Sequence, residues 1–246
     1  VDDSSGENKD MDDGQTCMEK GEPYNYFRVY TMDRAIEDGM DNGPESGNGS
    51  GTAGQAATSF GVGAYNFCHE IAHNNCPDPS QKVGKITDVI NGTAGTGNPA
   101  LDIIGSQETS IGTAQALMSS LPNYDMFPKG NDIGTYNGKS VMWNKDKFNL
   151  VDSGFVHKYT VDGKEMKIIG NGENKTDPDK NRFVWVKLQS SEGQTVYAAS
   201  IHSPADKYGG PLGAPMSRYI NAQIYRQWAE DKSGDGSLVL LIGDFN

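Results

Sequence analysis

The apolar run Leu238-Val-Leu-Leu-Ile242 breaks off in Gly243-Asp244-Phe245-Asn246. Opened by Gly-Asp-Gly-Ser and built of Val, Leu and Ile, it reads as a buried strand. Asp244 and Asn246, two apart on such a strand, point to the same side, where their oxygens suit a hard cation or a phosphate. Three other apolar runs end in the same manner. Tyr65-Asn66 closes the run from Phe60, Gln107-Glu108 closes the run from Asp102, and His202 closes the run from Thr195. One polar residue at a strand end is most often a solvated turn. Four in one chain point to a shared edge, because strand ends from two stacked sheets meet where a pocket can form. Glu108 supplies an anionic oxygen for a Mg²⁺-like ion, and Asn66, Asp244 and Asn246 bind metal or phosphate oxygens. His202 titrates near neutrality and can exchange a proton or donate to a phosphoryl oxygen. The chemistry predicted is metal-dependent hydrolysis of a phosphate ester.

These residues must be held by elements that the pattern places between Ser59 and Asn246. Strands are predicted for Phe60–Phe67, Asp102–Glu108, Ser140–Asn144, Phe148–Val156, Asn181–Leu188 and Thr195–His202, the last two joined by a hairpin turn at Ser191-Glu-Gly-Gln. Helices are predicted near His69–His73, Lys82–Val89 and Ala114–Ser120. The clearest helix is Met216–Asp231, with Ile220, Ile224, Gln227 and Trp228 along one side. Upstream, Tyr24–Tyr30 alternates like a strand, and Asp41–Gln55 is a Gly-, Asn- and Ser-rich linker. Strands outnumber helices without strict alternation of the two, which predicts stacked mixed sheets with helices outside. Trp143, Trp185 and Trp228 fall on strand or helix faces and read as core rather than as stacking platforms for bases.

Composition narrows the function classes. The chain of 246 residues is long enough for one large domain or two small ones. Its net charge of −12 argues against a broad cationic surface for nucleic acid, while leaving room for a local basic rim aided by divalent cations. No apolar stretch is long enough to be a transmembrane segment. The chain begins at Val1 without a signal-peptide pattern, which fits a processed secreted protein or an excised fragment. Of Cys17, Cys68 and Cys76, at least one is unpaired. A continuous helix would separate Cys68 and Cys76 by about 12 Å, so a bridge between them needs the Asn74-Asn75-Cys76-Pro77 end to fold back. Pairing through Cys17 and three free thiols both stay open. Asn48, Asn91 and Asn174 open glycosylation acceptor triplets, which are common by chance in such a chain.

The ordered set Tyr65-Asn66, Gln107-Glu108, a hairpin, Ser200-Ile-His-Ser-Pro204, a helix and Leu241-Ile-Gly-Asp-Phe-Asn246 resembles the endonuclease/exonuclease/phosphatase superfamily. Within it, Ile201-His-Ser-Pro-Ala-Asp206 and Asp102-Ile-Ile-Gly-Ser-Gln-Glu108 are most similar to deoxyribonuclease I-like nucleases. The resemblance covers about Phe60 to Asn246. It implies an α+β fold, a four-layer α/β/β/α sandwich of two mixed β-sheets with outer helices. Residues 1–58 are then an acidic, Gly-rich N-terminal extension with one strand, and residues 59–246 the family-like domain. It also implies roles: Glu108 and Asn66 hold the metal, Mg²⁺ or Mn²⁺. Asn66 also contacts the substrate phosphate, as does Arg182. His202 assists the leaving group or the transition state, Asp244 and Asn246 orient the attacking water and bind phosphate, and Tyr136 contacts phosphate. The substrate implied is nucleic acid or another phosphodiester, and the location secreted or cell surface.

Three departures matter. Tyr136-Asn-Gly-Lys139 lacks the Glu that follows the corresponding Tyr in deoxyribonuclease I, and Thr109-Ser110 replaces a DNA-contacting Val-Arg. In the superfamily, strands with a distal metal-site Asp and an Asp-His pair follow Gly-Asp-Phe-Asn. The expectation is therefore a domain lacking its C-terminal strands: a fragment, or a domain completed by a further polypeptide segment. A phosphatase or sphingomyelinase-like member is the alternative within the same chemistry, and a catalytically inert binding or structural module the alternative outside it. Two rival metal motifs carry less. His69-Glu-Ile-Ala-His73 has the zinc-peptidase spacing but no evident third ligand, and Asn75-Cys76-Pro77 ends its helix early. Asp177-Pro-Asp-Lys-Asn181 opens like a calcium loop, but Arg182 stands where Gly is needed. It reads as a solvated loop, with a structural Ca²⁺ compatible with a secreted relative of the superfamily.

Overall fold

The computed structural model describes residues 29–31, 59–67, 79–95, 99–135, 138–170, 182–205 and 212–246. Cys17, Cys68, Cys76, the His69–His73 motif, Tyr136 and the Asp177–Asn181 loop lie outside them. Eleven strands and four helices are described. Five strands make sheet A in the order β1-β2-β3-β5-β4: β1 (Val29–Thr31), β2 (Gly61–Asn66), β3 (Ile103–Gln107), β5 (Ser140–Asn144) and β4 (Tyr124–Phe127). Four make sheet B in the order β11-β10-β9-β6: β11 (Leu238–Asp244), β10 (Thr195–His202), β9 (Phe183–Ser190) and β6 (Phe148–Val156). Both sheets are mixed. The β2–β3 and β10–β11 pairs are parallel and the other pairs antiparallel. A separate hairpin joins β7 (Lys158–Val161) to β8 (Lys164–Lys167).

The layers follow from strand alternation. On β3 and β5, Ile104 and Met142 face a core shared with α1 (Pro79–Ile90) and α2 (Ile111–Ser120), through Val83, Ile86, Ile90 and Leu117. Ile103, Val141 and Trp143 face the opposite way, into a second core with Val184, Val186, Val196, Ala198 and Ile242 of sheet B. On the far side of sheet B, Tyr197, Ala199 and Ile201 meet Ile224, Tyr225 and Trp228 of α4 (Ala214–Ser233). The central strands β3, β5 and β10 are thus buried on both faces, whereas the edge strand β6 is largely exposed. The result is the α/β/β/α sandwich expected. Trp143 and Trp228 are buried core residues, and Trp185 packs half-buried against the α4 layer.

Local chemistry sets the element ends. Pro79 opens α1, where its missing N–H costs nothing. Ser110 caps α2 by accepting the Thr113 N–H at 3.1 Å. The face that α4 buries differs from the expected stripe. Ser217, Asn221, Ile224, Tyr225 and Trp228 are buried, whereas Ile220 and Gln227 are half-buried. The polar members can be inside because they are bonded. Asn221 accepts the Ile169 N–H at 2.8 Å and donates to the Ile169 carbonyl at 2.7 Å, and Ser217 donates to the Gly213 carbonyl. The β7–β8 hairpin turns on Asp162 and Gly163. Both have positive φ, 47° and 77°, as a two-residue hairpin turn demands. Among the described residues no helix is long and apolar enough to cross a membrane.

Candidate active site

The parallel registers bring strand ends level. Asn66 on β2 sits opposite Gln107 on β3, and His202 on β10 sits opposite Asp244 on β11. The two sheets approach closely here, because Gly105 of β3 faces Ile242 of β11. A Cβ on Gly105 would stand 2.7 Å from the Ile242 Cβ. Across this junction the Asn66 Nδ2 donates to Glu108 Oε1 and to Asp244 Oδ2, each at 3.2 Å. The orientation of the amide follows from its partners, since ionised carboxylates only accept and the NH₂ must face them. His202 Nε2 stands 3.9 Å from Glu108 Oε1 and 4.0 Å from Asp244 Oδ2. Those separations exceed a hydrogen bond but lie within the reach of an imidazolium for two anions. The His202 side chain is 10% exposed, Glu108 22% and Asp244 32%, so the cluster opens to solvent on its carboxylate side.

Glu108 reaches this cluster through an unusual backbone. Strand β3 ends at Gln107, whose side chain faces sheet B. Alternation would then send Glu108 to the opposite face. Instead Glu108 has φ 52°, a left-handed conformation uncommon outside glycine, and its carboxylate comes to the same side as Gln107. The segment leading into β5 holds that turn. Gly138, at φ +66°, accepts the Thr109 N–H on its carbonyl at 2.8 Å. A Cβ on Gly138 would lie 2.6 Å from Thr109 N and 3.0 Å from the Glu108 carbonyl carbon. Three residues after Gln107, Ser110 starts α2, so Glu108 is fixed between a strand and a capped helix.

Of the residues singled out in the sequence, the structure brings Asn66, Glu108, His202 and Asp244 together. Asn246 joins by a route other than strand alternation. With φ 53° it turns back, its N–H donates to Asp244 Oδ1 at 2.9 Å, and its Nδ2 donates to the Ser203 carbonyl at 2.7 Å. It thereby braces Asp244 and the segment after His202. Arg182 immediately precedes β9, whose antiparallel pairing with β10 puts it at the same sheet edge as His202. Its guanidinium lies over the Phe155 ring, 4.6 Å from the centroid.

Other residues of this edge were given no role by the motifs. Lys139 is buried just before β5, and burial, aided by the Arg182 charge, lowers its ammonium pKa to about 8. The one signal for it is a Lys in step, two residues apart, with the inward Val141 and Trp143 of the strand it precedes. Gln107 and Ser200 are also buried and bonded to each other, Gln107 Nε2 to Ser200 Oγ at 3.0 Å. The Gln107-Glu108 pair marked a strand end without indicating that the amide turns inward.

Among the described residues no group of three His, Cys, Asp or Glu side chains stands close enough to enclose a metal ion. The donor set nevertheless suits Mg²⁺ or Mn²⁺. Two carboxylates converge on one amide at a solvent-facing rim, and Mg²⁺ is typically held by one or two carboxylates with waters and substrate phosphate completing its shell.

Comparison with known proteins places the fold. No protein-family model matches the sequence, and no curated protein does. Solved structures do. The chain is similar to the endonuclease/exonuclease/phosphatase from Bacteroides vulgatus, at 19% identity and TM-score 0.52, over 75% of this chain and 65% of that one. It is similar to D. rerio TDP2 humanized by 14 mutations, at 13% identity and TM-score 0.51, over 75% and 61%. It is also similar to a mannosyl-6-phosphatase from Bacteroides thetaiotaomicron, at 18% identity and TM-score 0.50, over 75% and 64%. The chain spans less than two thirds of the length of these structures. It has the sandwich fold of endonuclease/exonuclease/phosphatase structures.

Proposed function

We propose that this protein is a metal-dependent phosphodiesterase, nuclease-like in substrate, that hydrolyses phosphate esters by in-line attack of water. The observation that carries the reading is the convergence of Glu108 and Asp244 on the Asn66 amide with His202 Nε2 about equidistant from both carboxylates, at 3.9 and 4.0 Å. Glu108, Asn66 and the rim of Asp244 would hold Mg²⁺ or Mn²⁺. Such an ion, when bound, offsets the charge that develops on the phosphoryl oxygens. His202, sandwiched between two carboxylates, donates to a phosphoryl or leaving-group oxygen. Asp244 accepts from the attacking water and keeps it in line, while Asn246 keeps Asp244 in place through its backbone N–H. Arg182, at the same edge, supplies positive charge for a substrate phosphate, and Tyr136 is the further phosphate contact that the resemblance implies. The acidic balance of the chain, with net charge −12, and the likeness to a mannosyl-6-phosphatase favour a second substrate class, a small phosphomonoester bound without extended phosphate contacts.

The test is hydrolysis by the purified chain of bis-p-nitrophenyl phosphate, plasmid DNA and a panel of sugar phosphates, each with Mg²⁺, with Mn²⁺ and with excess chelator. The expected result is diester cleavage that needs the divalent ion and is lost in Glu108→Gln. Release of phosphate from sugar phosphates alone moves the assignment to the second class. A folded protein inert on every substrate with either ion overturns both.

A further inference from the structure

We infer that Gln107 and Ser200 are positioning residues that set the distance between Glu108 on one sheet and His202 on the other. The Ser200 hydroxyl sits in the middle of a relay. It accepts Gln107 Nε2 at 3.0 Å and donates to the Ser106 carbonyl at 2.7 Å. Both partners are the last two residues of β3. All three residues are sealed from solvent, Gln107 at 1% exposure and Ser106 and Ser200 at 0%. The surroundings are apolar. Ile103 and Val141 of sheet A and Val184, Val186 and Ala198 of sheet B line the same inter-sheet space.

Polar pairs in such a space are directional where apolar packing is not. Val and Ile contacts tolerate a slide of one sheet over the other, whereas a hydroxyl that both accepts and donates admits one register. The register it selects is the one the site needs. Ser200 lies two residues before His202 on the same face of β10, and Gln107 directly precedes Glu108. The tie therefore stands one strand step below the Glu108–His202 pair and fixes the two backbones that carry it. The left-handed turn at Glu108 makes the tie more consequential, because φ 52° aims consecutive side chains, Gln107 and Glu108, at the same opposing sheet. Glu108 thus inherits whatever position Gln107 is given. A second hydroxyl set, in which Ser106 Oγ bonds to Thr109 Oγ1 and to Ser140 Oγ, lies on the other face of sheet A and braces the turn from behind. It does not reach sheet B, so it cannot set the inter-sheet distance.

The inference rests on the phosphodiesterase reading only for its kinetic consequence. Its structural content stands by itself, and the test separates the two. Four proteins are compared: wild type, Gln107→Met, Ser200→Ala and the double variant. Tyr124→Phe is a control that breaks a buried polar bond, to the Leu101 carbonyl, at the opposite end of β3 from the site. Crystal structures give the Glu108 Oε1 to His202 Nε2 separation, 3.9 Å in the native arrangement. Opening beyond roughly 5 Å in the variants, where coupling of the two groups weakens, is the expected result. Hydrolysis measured well below each melting temperature is expected to show kcat lowered about 10- to 100-fold with KM within about 2-fold, the signature of a misplaced reacting group. The double variant should be no worse than the poorer single, because both remove one interaction. Should Gln107→Met not fold, Ser200→Ala carries the test, since it removes a single oxygen. A separation that stays near 3.9 Å once the tie is broken overturns the inference, as do kcat losses that add or that appear equally in Tyr124→Phe. If wild type hydrolyses nothing, the phosphodiesterase reading falls and the separation alone decides the positioning role.

Discussion

Two carboxylates flank strand β3, Asp102 before its first residue and Glu108 after its last, and they are treated in opposite ways. Asp102 is 3% exposed at the side chain and surrounded by donors. It accepts the Gly61 N–H at 3.0 Å, Asn144 Nδ2 at 3.3 Å and Lys147 Nζ at 2.8 Å. Its charge is felt next door, where burial first and Asp102 second raise the Tyr124 phenol to about 12 while the phenol donates to the Leu101 carbonyl. Glu108 is set beside another carboxylate, shares one amide with it, and faces a histidine across a gap too wide to bond. One end of the sandwich uses its acid to close the fold around N–H donors and a lysine. The other keeps two acids half-open around one amide, with a histidine facing both. Strand-end acids in the same sheet thus divide into fastener and site according to what the neighbouring strands present.

The sharpest break of that contrast is Glu108→Gln. Phosphodiester hydrolysis should fall by about 10³-fold, near 4 kcal/mol of transition-state stabilisation, with the melting temperature unchanged or raised because two crowded anions become one. A calorimetric scan beside an initial-rate assay checks both halves; a large loss of stability with retained rate would reverse the two roles. Asp102→Asn should do the converse. It loses the charge that holds Lys147 and part of the Gly61 and Asn144 bonding, at about 2 kcal/mol. Denaturant titration reads the loss, and activity per folded molecule should stay at the wild-type level.

Gly138→Ala tests whether the turn at Glu108 depends on backing from another loop. The new Cβ would meet Thr109 N at 2.6 Å and sit at φ +66°. A cost of about 1–2 kcal/mol is expected, together with reduced hydrolysis. Stability lost with no change in rate would detach Gly138 from the site.

The smallest effect concerns pH. The folded pKa of Lys139 lies at about 8, below the ordinary 10.5, because of burial first and Arg182 second. The unfolded chain therefore binds more protons than the folded one between those values, and stability rises with pH through that window. Between pH 8 and 9 the gain is about 1 kcal/mol. The tyrosines act the other way and later: Tyr124 and Tyr159, both raised to about 12, favour the fold below pH 10 and lose that contribution above it. Melting temperatures at pH 7.5, 8.5 and 9.5 should climb in wild type and stay flat in Lys139→Met; a wild-type curve that is flat as well would refute the Lys139 assignment.

Much of this was legible from residue order. Phe60–Phe67, Asp102–Glu108, Thr195–His202 and the Leu238 run become β2, β3, β10 and β11, with Asn66, Glu108, His202 and Asp244 where those runs end. Less legible was β7–β8, whose alternation is confined to a few residues, Tyr159 and Val161 before the turn and Met166 and Ile168 after it. Its available signal was the Asp162-Gly163 turn. On α4 the expected stripe was displaced by one position toward Ser217, Asn221 and Tyr225, because hydrogen bonds to Ile169 and Gly213 made polar residues cheap to bury. Asn246 meets Asp244 through its backbone N–H after a turn at φ 53°, while its side chain bonds to the Ser203 carbonyl, a placement that strand alternation does not describe.

The sequence by itself determined which residues end the strands and which chemical types they bring, because side-chain alternation is a local property of extended backbone with a period of two. Only the tertiary structure decided which ends meet. Asn66 and Asp244 are 178 residues apart, and their contact depends on the order of strands in two sheets and on the room that Gly105 leaves for Ile242. It also decided where Glu108 points. Alternation would have turned its carboxylate away from His202, and a single left-handed residue, held by the Gly138 carbonyl and the helix cap at Ser110, turned it back.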